Sequence, residues 1–332
     1  MTSLADVPGS TAHKIFLHSR RPSLFSSRGH DRLRNPSRCV EQGSHPTHPR
    51  VDSLEDHLPP PFIPLGGVSN FRDLSYENNL RPGYVYRSAN LSDITDDGKR
   101  MLADELGVTT IFDLRNESER VKAPAPRIDE IETVWEPYGG KPASLSLRDF
   151  AGNDHGVRGF VQMYSGILEA SAPAFGHVFL HIRDQPHDPF VFHCSAPSGP
   201  VGSAFDQRSE TFLTDCVSFT AGKDRTGVLA ALILSLMGRP HQEIIEDYIL
   251  TRAGLECVRE NLAQALDLDE GTDHLSPEAI GMLELSGVRA PAMAAFLKHL
   301  ESTYGSGAEG YLTKKLGFTS IDIQKMVKNL SA

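Results

Sequence analysis

The chain has 332 residues, of which 39% are hydrophobic and 23% charged, and its formal net charge is −10 at pH 7. The longest apolar run, residues 228–237, is about half as long as a membrane-spanning helix requires, which argues against an integral membrane protein. The acidic balance argues against a dedicated nucleic-acid binder. The four cysteines form no CxxC pair, so a disulfide scaffold and a cysteine-rich zinc site are not expected.

The charge is unevenly distributed along the chain. Residues 1–50 carry eight basic and three acidic side chains and are rich in Ser, His and Pro. This composition predicts a disordered basic tail over residues 1–58, followed by one domain over residues 59–332. A mitochondrial presequence has a similar composition, but Asp6 and the scattered prolines argue against one here. We expect a cytoplasmic protein, with mitochondrial import as the alternative.

Hydrophobic periodicity and turn signals predict strands that alternate with helices. The predicted strands are 84–87, 108–114, 132–135 and 190–193. The predicted helices are 95–106, 161–182, 226–237, 241–250 and several more after residue 276, with a long loop or lid over residues 139–160. This order predicts an α/β fold with a central, mostly parallel sheet flanked by helices.

A candidate phosphate-binding segment directly precedes the predicted helix 226–237. It reads Thr220-Ala-Gly-Lys-Asp-Arg-Thr-Gly227. A glycine-containing loop that opens a helix presents backbone N–H groups and the positive end of the helix dipole to an anion. Arg225 can donate a planar fork of hydrogen bonds to two phosphate oxygens, and Lys223 adds a positive charge. The segment lacks the GxxxxGK[ST] pattern, so it is not a Walker A nucleotide loop.

The position expected for a nucleophile is interrupted. In cysteine phosphatases, a Cys at the end of a strand precedes the Arg by six positions, and the residue six positions before Arg225 is Phe219. Cys194 follows the predicted strand 190–193, but the 25 residues 195–219 separate it from Thr220. Without them, the chain reads Val-Phe-His-Cys-Thr-Ala-Gly-Lys-Asp-Arg-Thr-Gly with the required spacing.

This joined segment resembles the protein tyrosine phosphatases of the HCxAGKDRTG type. These enzymes are found in bacteria and fungi and are similar to dual-specificity and phosphoinositide phosphatases. The resemblance covers residues 62–330. Its other motifs are Asn-Phe-Arg-Asp-Leu at 70–74, Leu-Arg-Pro-Gly at 80–83, Tyr-Arg-Ser-Ala at 86–89, Phe-Asp-Leu-Arg at 112–115, and the helical end from Tyr304 onward. It implies the three-layer cysteine-phosphatase fold, a phosphorylated protein or phosphoinositide as substrate, and neither a metal nor another cofactor.

The resemblance also implies a role for each candidate site residue. Cys194 would attack phosphorus and form a phosphocysteine, and Arg225 would stabilise the phosphoryl group and the transition-state charge. Asp224 is the first candidate for the general acid, Asp113 the second, and Asp149 or Asp154 the third. The expected substrate-binding residues are Ala221, Gly222, Lys223, Thr226, Arg72 and Arg87, of which the two strand arginines are expected to orient the site rather than to react.

The insertion leaves two functions open. A nucleophile that is misplaced by about 1 Å can lose roughly 100-fold in rate, so the chain is either an active hydrolase or a catalytically inactive phosphate-binding or scaffold protein. We hypothesise that residues 195–219 are a translated retained intron. A genuine insertion, and with it a regulatory lid, is the alternative. The sequence does not define the oligomeric state or distinguish phosphotyrosine, phosphoserine and phosphoinositide substrates.

Overall fold

The computed structural model describes residues 58–76, 79–136, 145–195, 222–255 and 276–332. Apart from its last residue, the predicted tail lies outside the described residues. The same holds for most of the interrupting segment, for Thr220 and Ala221, and for the first part of the predicted lid. Cys39, Cys216 and Cys257 also lie outside them, so the predictions for these residues stay predictions.

The described strands form one five-stranded mixed sheet. They are β1 (Arg72–Asp73), β2 (Val85–Ser88), β3 (Thr110–Asp113), β4 (Glu132–Trp135) and β5 (Phe190–His193). Their order is β1-β2-β5-β3-β4. Only β1 pairs antiparallel with its neighbour, and the other pairs are parallel. The predicted α/β class with a mostly parallel sheet is confirmed, and β4 and β5 have the predicted bounds.

The strand register brings three carboxyl ends to one edge of the sheet. His193, the last residue of β5, pairs with Ser88 at the end of β2 and with Asp113 at the end of β3. Residues that follow these strands therefore leave the sheet side by side. In open α/β sheets, this edge is where ligands bind.

Helices cover the sheet and form the second half of the domain. They are α1 (Asp96–Arg100, continued by a π-helix at Met101–Glu105), α2 (Glu117–Lys122), α3 (Val157–Ala170), α4 (Ala172–Asp184), α5 (Asp224–Leu236), α6 (His241–Leu250), α7 (Pro277–Ser286), α8 (Ala290–Tyr304), α9 (Gly307–Lys314) and α10 (Ser320–Leu330), with short 3-10 helices at Leu147–Phe150 and Ala253–Leu255. Thr95 caps α1, as its sequence position predicts, by accepting a hydrogen bond from the backbone N–H of Gly98 at 3.1 Å. Within the described ranges, no single helix has both the length and the apolar composition to cross a membrane.

The predicted helix 161–182 is two helices with a break at Ser171. The structural reason is Pro173, which lies in the first turn of α4. Proline lacks an N–H and its ring clashes with the preceding turn, so it is tolerated at a helix start and not in a helix interior.

Both faces of the sheet are buried, because successive side chains of a strand point to opposite faces. Phe190 and Phe192 of β5 pack into a large cluster that includes α3, α4, α5 and α8. Val191 packs into a smaller cluster on the other face. Helix α5 is buried from Asp224 to Leu234. Its N-terminus is therefore held firmly at the edge where β2, β3 and β5 end.

Candidate active site

Cys194 and the N-terminus of α5 come together at the sheet edge. The Thr226 hydroxyl donates a hydrogen bond to Cys194 Sγ at 3.2 Å, although the two residues are 32 positions apart in the chain. Both side chains are buried. The fold therefore brings together the strand end and the helix start that the interrupting segment separates in sequence.

Gly222 enters α5 over the end of β2 in a conformation that favours glycine. Its φ is +65°, and a Cβ at this position would lie 2.1 Å from the backbone oxygen of Ser88. A side chain at residue 222 is thus opposed both by the left-handed backbone and by direct contact with β2. This glycine keeps the loop close to the sheet edge.

Arg225 binds a carboxylate that the sequence analysis did not identify. Its Nη1 donates to Glu119 Oε2 at 2.5 Å and its Nη2 to Glu119 Oε1 at 2.6 Å. The Ser195 hydroxyl donates to Oε1 at 2.6 Å, and the backbone N–H of Asn116 to Oε2 at 2.7 Å. Burial alone would raise the pKa of Glu119, but the charge of Arg225 and these hydrogen bonds outweigh it and hold the pKa at about 2.

The sequence around Glu119 predicts only a helix cap, so it does not indicate the contact with Arg225. Asn116 and Glu119 form a capping box at the start of α2, the pattern expected of a polar residue followed three positions later by Glu. Nothing local in the sequence indicates that the same carboxylate also binds an arginine 106 positions away.

The first candidate for the general acid, Asp224, is the first residue of α5. Its Oδ1 accepts a hydrogen bond from the Tyr164 hydroxyl at 2.9 Å and lies 3.4 Å from Lys223 Nζ. The Tyr164 oxygen lies 2.8 Å from that of Tyr248, which completes a buried chain from α3 to α6. These contacts fix the carboxyl group next to Arg225.

The second candidate, Asp113, is enclosed by cations. Arg115 donates to its two oxygens from Nε and Nη2, both at 2.8 Å, and Arg120 Nε lies 3.0 Å away. Burial alone would raise the pKa of Asp113, but its interaction with His193 and the hydrogen bonds and charge of Arg115 hold the pKa below the ordinary value. At neutral pH, this carboxylate is ionised and its oxygens are engaged.

The third candidates accept hydrogen bonds within their own turns. Asp149 accepts the backbone N–H of Ser146 at 2.7 Å, and Asp154 accepts the backbone N–H of Arg158 at 3.1 Å. Both contacts cap a helix start, so each carboxylate has a structural role within its own turn.

Lys223 is fully buried against α7. Its Nζ donates to the backbone oxygens of Leu285 at 2.6 Å and Gly287 at 3.0 Å, and it lies 4.9 Å from the centre of the Phe160 ring. Burial lowers the pKa of Lys223, partly offset by Asp224. The predicted contact between Lys223 and a substrate stays a prediction.

His193, which precedes the cysteine, is a buried neutral residue. Burial lowers its pKa to about 4, although Asp113 acts in the opposite direction. Its backbone oxygen accepts the N–H of Leu114 at 2.9 Å, so its main chain helps to fix the strand end from which Cys194 projects.

The two strand arginines, Arg72 and Arg87, are fully buried and contact a second carboxylate that the sequence analysis did not identify. Arg72 Nε donates to Asp247 Oδ1 at 3.1 Å, and Arg87 forms an ion pair with Asp247 Oδ2. Arg87 Nη2 also donates to the backbone oxygen of Gly222 at 2.9 Å. Through Arg87, these contacts connect the two arginines to the loop at Gly222. The predicted role of Arg72 and Arg87 in binding substrate stays a prediction.

Known proteins resemble most of this chain. It matches the model of the tyrosine phosphatase family over residues 63–197 and 202–332. It is 32% identical over 248 residues to a tyrosine-protein phosphatase of Nostoc commune, which covers 72% of this chain and 71% of the relative. It is 26% identical over 279 residues to the triple specificity protein phosphatase PtpB of Mycobacterium tuberculosis, which covers 79% of this chain and 96% of the relative. The break between the two family segments falls inside the interrupting segment 195–219.

Proposed function

The chain belongs to the tyrosine phosphatase family, and on that premise we propose that it is a cysteine-dependent phosphomonoester hydrolase with Cys194 as the nucleophile. The observation that carries the proposal is the hydrogen bond of 3.2 Å from Thr226 to Cys194 Sγ. It holds the thiol at the N-terminus of α5 despite the interruption. A hydroxyl donor and a helix N-terminus both stabilise a thiolate, which is the reactive form of cysteine.

The proposed reaction has two steps. The thiolate attacks phosphorus, so that an S–P bond forms while the bond from phosphorus to the leaving oxygen breaks, and Asp224 gives its proton to that oxygen. Water then attacks the phosphocysteine, the S–P bond breaks, and Asp224 takes up a proton from the water. Inorganic phosphate leaves and the thiolate is restored.

Arg225 and the first backbone N–H groups of α5 would stabilise the charge of the phosphoryl oxygens. The contacts of Arg225 with Glu119 and with the backbone oxygen of Leu114, the latter at 3.2 Å, support this role because they fix the plane of the guanidinium group in advance. A donor group that is already oriented costs little reorganisation when the transition state forms.

The contacts of the two aspartates favour Asp224 over Asp113 as the acid. Both oxygens of Asp113 accept hydrogen bonds from Arg115, so neither is directed at a leaving group. Asp224 is next to Arg225 in the chain, and its bond from Tyr164 leaves the second carboxyl oxygen as the atom to carry a proton toward the leaving group.

For the substrate, we propose phosphotyrosine in proteins, with phosphoserine and phosphoinositides as further substrates to be tested. The family assignment supports a phosphorylated substrate, and the name of the mycobacterial relative supports testing more than one class of phosphate ester. A cytoplasmic location is part of the same proposal.

Three chains test the proposal with an aryl phosphate: the full chain, the chain without residues 195–219, and the shortened chain with Cys194→Ser. We expect turnover that Cys194→Ser abolishes, together with a phosphocysteine that rapid quenching and mass spectrometry detect. Equal rates for the full and shortened chains would make the insertion a tolerated loop. Turnover by the shortened chain alone would make the full chain the inactive phosphate-binding protein, and failure of both chains would overturn the proposal.

A further inference from the structure

Asp247 lies between two buried arginines of neighbouring strands. Arg72 of β1 and Arg87 of β2 are directly paired in the sheet register, and both are fully buried. Like charges directly opposite each other in a sheet repel. Asp247, on α6, is 15% exposed and supplies the compensating charge, with one oxygen on each guanidinium group.

The arginine charges keep Asp247 ionised. Burial alone would raise the pKa of Asp247, but the charges of Arg87 and Arg72 outweigh it and hold the pKa below the ordinary value. The backbone oxygen of Asp247 and the hydroxyl of Thr251 accept further bonds from Arg72 Nη2, at 3.0 and 3.2 Å. The end of α6 is thus tied to β1 and β2 at several points.

This cluster reaches the candidate phosphate loop at one atom. The backbone oxygen of Gly222 accepts a hydrogen bond from Arg87 Nη2 at 2.9 Å and from Asn70 Nδ2 at 3.4 Å. Asn70 is itself bound by Arg72, whose Nη1 donates to its backbone oxygen at 3.3 Å. Both donors to Gly222 therefore depend on side chains that Asp247 holds.

A fixed carbonyl group fixes the N–H that follows it. The peptide bond is planar and trans, so the Gly222 oxygen and the Lys223 N–H point in opposite directions. Binding the oxygen from the sheet side turns the Lys223 N–H away from the sheet arginines. Anion-binding loops need successive N–H groups directed into the site. The Lys223 N–H can take that direction only when the Gly222 carbonyl group points away from the site, toward Arg87 and Asn70.

We propose that Asp247 is a positioning residue, which orients Arg72 and Arg87 so that they hold the Gly222–Lys223 peptide with its N–H directed at the phosphoryl group. The inference rests on the proposed function of the same loop, and Asp247 itself does not touch substrate. The adjacent residue of α6 supports the same loop at a second point, because Tyr248 contacts Tyr164, which donates to Asp224. Helix α6 thus contacts the Gly222 backbone through Arg87 and the Asp224 carboxyl group through Tyr164.

The test is the binding of tungstate, a tetrahedral oxyanion, to the full chain by isothermal titration calorimetry, with thermal unfolding followed in parallel. We expect Asp247→Asn to raise the Kd about tenfold, the effect of weakening one hydrogen bond to a charged group. Arg87→Lys should do the same, because an ammonium group can stay beside Asp247 but cannot also present the planar fork that reaches Gly222. If Asp247→Asn does not fold, Arg87→Lys decides.

Arg183→Lys is the matched control, since Arg183 forms an ion pair with Asp322 on α10, and we expect it to leave the Kd unchanged. A Kd that stays at the native value in Asp247→Asn and Arg87→Lys would overturn the inference even if both variants melt earlier, because a merely structural role lowers the melting temperature alone. A native chain that does not bind tungstate would overturn it as well. Tungstate binding with the expected pattern but without hydrolysis of aryl phosphate would contradict the proposed function and leave this inference standing.

Discussion

The carboxylate of Glu119 and the guanidinium group of Arg225 face each other through two contacts, of 2.5 and 2.6 Å. Both side chains are about nine-tenths buried. Charged groups in such surroundings are stable only as a pair, because each would otherwise lose its hydration without compensation. The loop arginine is therefore oriented by α2 before any ligand binds.

Glu119→Gln removes the charge of the partner while keeping its shape. We expect the free energy of unfolding at pH 7, measured by urea titration, to fall by about 3 kcal/mol, because Arg225 is left as a buried charge. The matched control is Glu169→Gln, whose partner Lys315 is at the surface, where an ion pair contributes at most about 1 kcal/mol. Equal losses in the two variants would contradict a special role for Glu119.

The same pair predicts how stability depends on pH. The pKa of Glu119 is about 2 in the folded protein, against an ordinary value of 4.5. A depressed pKa contributes stability that is present above the unfolded pKa and is lost as the pH falls toward the folded pKa. The difference in unfolding free energy between the native protein and Glu119→Gln should therefore shrink by about 3 kcal/mol between pH 5 and pH 2. A difference that stays constant over this range would contradict the assignment.

Two glycines with the same backbone conformation allow the cost of the close approach between residue 222 and β2 to be measured. Gly107 and Gly222 both have φ near +65°, but a Cβ at Gly107 would meet nothing within 4 Å, whereas one at Gly222 would meet Ser88. Gly107→Ala should cost about 1 kcal/mol from backbone strain alone. Gly222→Ala should cost about 3 kcal/mol or more, because overpacking adds to that strain. Similar losses in thermal or urea unfolding would mean that the loop can move off β2 without penalty.

The parts of the fold that sequence could predict are those set by local pattern. Strands β4 and β5 are continuous runs with β-branched or apolar residues, and helix α6 has a proline before it and a clear period, so their bounds were predicted correctly. The apolar spacing of residues 161–182 continues across the break and therefore predicts one helix, whereas Pro173 cannot lie in a helix interior and so begins a second helix.

The candidate site divides in the same way. Cys194 and Arg225 stand out as candidates because the spacing of the family motif reappears when residues 195–219 are left out. Glu119 and Asp247 do not, because their partners are more than 100 positions away in the chain. From the sequence alone, Glu119 is a helix-capping residue and Asp247 is one of several acidic residues on an amphipathic helix. Each contacts an arginine only because α2 and α6 pack against the sheet edge.

The contact between Thr226 and Cys194 predicts a specific loss of rate. Thr226→Val removes the hydroxyl that donates to Sγ with little change in shape. A hydrogen bond to a charged group contributes about 1.5 kcal/mol or more, so kcat for an aryl phosphate at pH 7 should fall at least about tenfold in whichever chain, full or shortened, turns over. Thr226→Ser keeps the hydroxyl and should restore most of the rate. If Thr226→Val turns over at the native rate, the hydroxyl does not contribute to catalysis at this position.

The choice of acid can be decided by the leaving group. A general acid contributes roughly 10²–10⁴-fold when the leaving oxygen needs a proton, and much less when that oxygen leaves readily as an anion. Asp224→Asn should therefore slow hydrolysis of phenyl phosphate far more than that of p-nitrophenyl phosphate. Asp113→Asn should lower both rates by the same factor and reduce the free energy of unfolding, because it leaves Arg115 buried without its carboxylate. If instead the leaving-group dependence appears in Asp113→Asn, the ion pair with Arg115 must open during the reaction, and the acid of this site is at the end of β3 rather than at the start of α5.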